Sequence, residues 1–153
     1  MDRASLCSFT YATIHGPLTI SATAKGICAI EFGQGPGEGR HVATELTHRA
    51  ANQMQEYLAG KRRSFDVPLD IEGSAFQKTV WAQADATPYG TTTTATELAK
   101  AIGKPGSHRS VGTALRQCRV APFIAVHRIE NPAATGKGAR IYRALCAMEK
   151  ANL

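Results

Sequence analysis

Thr94-Ala-Thr-Glu-Leu-Ala-Lys-Ala-Ile-Gly-Lys-Pro-Gly-Ser-His-Arg-Ser-Val-Gly-Thr-Ala-Leu-Arg116 reads as two short helices joined by a tight turn. Thr94-x-x-Glu97 is a capping-box pattern, in which hydroxyl and carboxylate satisfy each other's backbone N–H groups. Ala95, Leu98, Ala99 and Ile102 then lie on one apolar side. Gly103-Lys104-Pro105-Gly106 ends that helix, because proline cannot continue it and glycine takes the turn. Ser107 is the expected cap of the second helix. There Arg109, Gly112, Thr113 and Arg116 recur at i, i+3, i+4 and i+7, which is one helical face. Val111, Ala114 and Leu115 fall on the other, and His108 is expected on that buried side. Two helices around a Gly-rich turn make a helix-turn-helix signature. The polar face has two arginines flanking small residues. Arginine neutralises phosphate or enters a groove, and small side chains allow close approach. An ordinary solvated helix face would share the periodicity, so the charge distribution is needed as a second observation.

The formal net charge is +6. Residues 1–75 hold 7 Lys+Arg and 8 Asp+Glu, a net −1, whereas residues 76–153 hold 11 and 4, a net +7. A basic half on a near-neutral half suggests a polyanion-binding module on a scaffold. Hydrophobic content of 43% over 153 residues suits one globular domain or two small ones. Membrane spans are excluded by the lack of a long apolar run, and Met1-Asp-Arg-Ala4 is not followed by a signal-peptide core. The expected location is therefore cytoplasmic or nucleoid-associated. Cys7, Cys28, Cys118 and Cys146 form no CxxC pair, so no disulfide framework or metal site is expected.

The first half reads as α/β. Phe9–Thr13, Leu18–Thr23 and Ile27–Phe32 are β-rich runs punctuated by Gly16-Pro17 and Lys25-Gly26, the pattern of a small antiparallel sheet. Gly33–Gly39 is a Gly-rich loop. Val42, Leu46, Ala50 and Met54 place a helix over His41–Leu58, with Gly60 as its stop. Phe65–Ile71 is extended and leads to a linker. The expected domains are an α/β N-terminal domain over 1–70 and a mainly helical DNA-binding domain over 71–153. The second opens on a capping box, Ser74-x-x-Gln77, with Phe76, Val80 and a core Trp81 behind it. Near its end the apolar run Phe123-Ile-Ala-Val126 delivers His127-Arg128.

These pieces together resemble the O6-alkylguanine-DNA alkyltransferase family, the methylated-DNA–protein-cysteine methyltransferases, over nearly the whole chain. Phe76-Gln77-x-x-Val80-Trp81 is similar to the first helix of its C-terminal domain, and Pro88-Tyr-Gly90 and Ile102-Gly103-Lys104-Pro105 to its helix-turn-helix. Arg109-Ser-Val-Gly112 resembles its Arg-Ala-Val-Gly, and Ala125-Val126-His127-Arg128-Ile129 its Pro-Cys-His-Arg-Val. Glu149 matches the glutamate of its last helix. The resemblance implies minor-groove binding, a nucleotide turned out of the stack, and an arginine matching Arg109 in the vacated space. It also implies transfer to a thiolate prepared by His127 and Glu149, with no cofactor and no metal. His127 is then expected within hydrogen-bond reach of Glu149.

The departures are equally legible. The acceptor cysteine corresponds to Val126, its preceding proline to Ala125, an upstream asparagine to Cys118, and a phosphate-handling tyrosine to Ala95. Thr135-Gly-Lys-Gly138 stands for a longer glycine-containing loop. No catalytic set is intact, although His127 and Glu149 remain. Arg109, Gly112, Thr113, Arg116, Lys104 and Arg128 are the expected DNA contacts. Three readings follow: a DNA-repair protein that binds alkylated or distorted double-stranded DNA without methyl transfer, a methyltransferase using another thiol, or a paralogue kept for protein contacts. For the second, Cys118 is read as ending the recognition helix and Cys146 as pointing away from its helix's buried stripe.

Overall fold

The structure is a computed structural model that describes residues 3–33, 35, 37–130 and 137–153. It divides into two compact units, Met1–Glu72 and Gly73–Leu153.

In the first unit, β1 (Cys7–Thr13), β2 (Gly16–Ala22) and β3 (Ile27–Phe32) pair antiparallel in sequence order. A two-residue β4 (Arg40–His41) then joins the free edge of β1 in parallel, giving the order β3-β2-β1-β4. The sheet is therefore mixed rather than wholly antiparallel. Helix α1 (Glu45–Leu58) packs on β1, β2 and β3. Leu18, Ile20 and Ile27 from the sheet and Ala50, Met54 and Tyr57 from α1 are fully buried. The helix starts later than the His41 expected from periodicity. Thr44 and Thr47 cap each other reciprocally, which fixes the first turn there, and His41 is taken by the sheet. Val42 is left outside the helix and 39% exposed. The extended segment after α1 docks on β3, with Ile27 N–H donating to Pro68 O at 2.9 Å and Asp70 N–H to Ile27 O at 2.8 Å. A Cβ at Gly26 would lie 2.7 Å from the Leu69 backbone, so this approach needs glycine.

The second unit is helical. Its elements are α2 (Ala75–Asp85), α3 (Ala95–Ala101), α4 (His108–Arg116) and α5 (Lys137–Ala151), with a minimal two-strand pairing of β5 (Thr93–Thr94) and β6 (Ile129–Glu130). Helices α2, α3 and α4 pack mutually around Val80, Trp81, Leu98, Ala99, Val111 and Ala114. The Trp81 indole N–H donates to Ala114 O at 2.8 Å, which satisfies the polar handle that a buried tryptophan carries. Residues 120–129 are buried without interruption and contain a short 3-10 helix, Val126–Arg128. Among the described residues no helix is long and apolar enough to cross a membrane, and no group of His, Cys, Asp or Glu could hold a metal ion.

Candidate DNA-binding face and histidine cluster

The sequence-predicted residues fall into two groups in the second unit. The first is the face of α4. Arg109, Thr113 and Arg116 are exposed and Gly112 is half-buried beside them, while Val111 and Ala114 face the core. Arg116 reaches back along this face, donating from Nη2 to Thr113 Oγ1 at 3.2 Å, and Thr113 in turn donates to Arg109 O at 3.1 Å. Among the described residues Arg109 has no such partner, so its guanidinium is available to a ligand. Lys104 is exposed in the preceding turn, where Gly103 and Gly106 take φ values of 77° and 87°.

Three local expectations need correction. Thr94 accepts from Glu97 N–H, but the reciprocal half of that capping box is not formed. Ser107 precedes α4 without capping it; its hydroxyl donates to Lys104 O at 2.6 Å and closes the turn instead. His108 is exposed rather than buried, because it lies a quarter turn from the Val111–Ala114 centre of the apolar face.

The second group is buried around Glu149, which is 1% exposed. Its Oε1 accepts from Gly90 N–H at 3.1 Å and Arg128 Nε at 2.9 Å. Its Oε2 accepts from Arg128 Nη2 at 3.0 Å and lies 2.7 Å from His127 Nε2. A carboxylate removed from water needs a counter-charge and filled lone pairs, and this one has both. The Arg128 guanidinium forms the two-pronged pair, gives Nη1 to Thr87 O at 2.8 Å, and stands 5.5 Å from the centre of the Tyr89 ring. The buried charge of Glu149 thus holds Arg128 inside, 8% exposed, unlike the open Arg109 and Arg116 of α4. Glu149 accepts at Nε2, so that nitrogen of the His127 ring carries a proton. The residue before it, Val126, is 6% exposed. Its isopropyl group offers neither a proton to that base nor a nucleophile.

Several residues of this cluster escape a reading by motif. The likeness of Pro88-Tyr89-Gly90 to the family's helix-turn-helix does not say that Gly90 (φ 80°) turns its N–H onto Glu149. Asp85 accepts from Ala125 N–H at 3.0 Å and fixes the backbone just before Val126. Cys118 lies beyond the end of α4, whose C-cap is Gln117. Burial, with the nearby Asp85 charge adding to it, pushes the Cys118 thiol up to about 11. Cys146 is half-buried, and its thiol donates to His127 O at 3.0 Å. Burial and the Glu149 charge raise its pKa as well. Thr135-Gly-Lys-Gly138 lies outside the residues whose side chains are described, residues 131–136 being outside the description altogether.

Comparison with known proteins gives the chain its relatives. Residues 7–71 match the ribonuclease-like domain, and residues 75–151 the DNA-binding domain, of 6-O-methylguanine DNA methyltransferase. The methylated-DNA–protein-cysteine methyltransferase of Methanosarcina barkeri is 36% identical over 119 residues, covering 74% of this chain and 75% of that one. The constitutive enzyme of that name from Bacillus subtilis is 37% identical over 98 residues, covering 63% and 59%. Among solved structures, Mycobacterium tuberculosis OGT in complex with DNA superposes with a TM-score of 0.85 at 29% identity, covering 95% of this chain and 94% of that one. A further structure, of the O6-methylguanine methyltransferase of that organism, gives 0.84 at 29% identity, over 97% and 94%. The chain belongs to the 6-O-methylguanine DNA methyltransferase family, with both of the family's domains represented.

Proposed function

We propose that this protein serves DNA repair by binding alkylated or distorted duplex DNA from the minor groove, and that it holds the flipped nucleotide without taking its alkyl group. Val126 carries the reading. It corresponds to the family's acceptor cysteine, and a saturated side chain has no lone pair with which to attack a methyl carbon. The base and its orienting carboxylate persist as His127 and Glu149. A satisfied buried histidine is a structural reason to keep that pair without any catalysis.

The DNA-binding half of the reading is supported by the exposed arginine face of α4 and by the net +7 of residues 76–153. Turning a nucleotide out costs a few kcal/mol in lost stacking and pairing, and a side chain entering the gap offsets part of it. Arg109 is assigned to the stack, Arg116 and Lys104 to phosphates, and Gly112 with Thr113 to close approach of the helix backbone. The relatives' names favour a second reading, transfer to another thiol. Against it, both candidate thiols are held protonated by burial.

Fluorescence anisotropy on plain and O6-methylguanine duplexes tests the proposal. Tighter binding of the lesion duplex is expected. Failure to bind either duplex at low salt would remove the DNA reading and favour a paralogue kept for protein contacts.

A further inference from the structure

We infer that Gln117 is a hydrogen-bond donor to the duplex, held with its NH2 group outward by Gln77; the inference rests on the DNA-binding reading above. The orientation follows from one donor whose identity is fixed. The backbone N–H of Ser74 can only donate, and it points at Gln77 Oε1 over 2.8 Å. The Gln77 carbonyl therefore faces Ser74, and its NH2 faces the other way. That NH2 donates to Gln117 Oε1. Gln117 must then give its oxygen to Gln77 and turn its own NH2 away from it. The capping box that starts α2 thereby sets the direction of an amide at the end of α4.

The surroundings suit a ligand. Ser110, Thr113 and Gln117 of the α4 segment face Ser74, Phe76 and Gln77 across a depression of about 370 Å³. Gln117 is exposed and flanks the face that carries Arg109, Gly112 and Arg116. Its backbone is anchored as the C-cap of α4, so the amide projects from a fixed point. The Thr113 hydroxyl is spent within the helix, which leaves the Gln117 NH2 as a neutral donor on this flank. In the minor groove an A·T pair shows only acceptors, purine N3 and pyrimidine O2, and phosphate oxygens also only accept. An amide held NH2-outward fits either acceptor, whereas one held carbonyl-outward is repelled by both.

The test exploits a substitution that keeps the cap and reverses the amide. Gln77→Glu still accepts from Ser74 N–H, since glutamate is the usual capping-box partner. Its second oxygen replaces the NH2, so Gln117 turns to donate inward and shows its carbonyl to the DNA. Thermal unfolding should stay unchanged while duplex affinity falls about tenfold, and Gln117→Ala alone should cost about fivefold, the scale of one neutral hydrogen bond. The double variant separates amide reversal from added negative charge. On the Gln117→Ala background, Gln77→Glu should cost no more than about twofold. Equal losses in both backgrounds would mean that charge alone acts, and would overturn the inference. Duplexes with 3-deazapurines or with methylphosphonates then locate the acceptor on a base edge or on the backbone, according to which abolishes the Gln117→Ala effect. If the wild type binds DNA and Gln117→Ala is neutral, only this inference fails. If the wild type binds no duplex, the DNA reading fails with it.

Discussion

On the proposed reading Val126 stands where alkyl transfer needs a lone pair, and burial raises the pKa of the two thiols that could replace it, Cys118 and Cys146. Cys118 is the clearer case, because its pKa of about 11 follows mainly from burial. Burial disfavours the thiolate, so the thiol stays protonated as pH rises through neutrality and loses its proton only near that value. In a variant with the other three cysteines changed to serine, Cys118 alkylation by iodoacetamide should be slow at neutral pH and rise about tenfold per pH unit up to pH ~10, as a thiolate nucleophile requires. A rate already at its plateau at neutral pH would mark an activated thiol and revive the transferase reading. The arginines of α4 separate by role. Arg109→Ala should weaken binding to a lesion duplex more than to a plain one, because it removes the side chain assigned to the stack. Arg116→Ala should weaken both alike and lower the salt slope by about one. Equal losses for both variants on both duplexes would make Arg109 an ordinary phosphate contact. That these residues share one face is legible in the sequence because a helix face is periodic. The fate of Arg128 is not, since nothing in His127-Arg128 states that a glutamate twenty-one residues later will claim the guanidinium.

At the scale of elements, the strongest device is the Glu149 cluster, which ties α5, the Val126–Arg128 turn and the Pro88–Gly90 turn to one carboxylate. Glu149→Gln leaves Arg128 buried without its counter-charge. Breaking one partner of a buried pair costs roughly 3 to 5 kcal/mol, far more than an exposed pair such as Lys100–Glu97 contributes. Urea denaturation should show that loss at unchanged m-value; a loss below about 1 kcal/mol would mean that water already screens the cluster. Element existence is well marked in this chain. The Ser74-x-x-Gln77 box forms as a reciprocal pair, and the helix-turn-helix follows from its glycines. Boundaries are less legible. The start of α1 at Glu45 depends on Thr44 and Thr47, a Thr-x-x-Thr pair that lacks the usual Glu or Gln. The parallel β4 is invisible locally, because two residues have no periodicity and the strand exists only through the edge of β1.

Across the whole molecule, the sequence places a near-neutral α/β unit before a strongly basic helical one. The family comparison gives each unit its own domain. Charge of that size produces salt-sensitive DNA affinity but carries no information about lesions. On the proposed function, lesion preference comes from the α4 face and the pocket that receives a flipped base. The proposed function assigns the loss of transfer to Val126 and DNA binding to the α4 face, so it treats binding and transfer as separable in this chain. One reaction measures both. The protein is mixed with equimolar O6-methylguanine duplex at low salt, complex formation is recorded by anisotropy, and the same sample is then read by intact-mass spectrometry and by nucleoside analysis of the DNA. A complex, an unchanged protein mass and intact O6-methylguanine are expected. A protein heavier by one methylene increment, with the lesion restored to guanine, would contradict the proposed function.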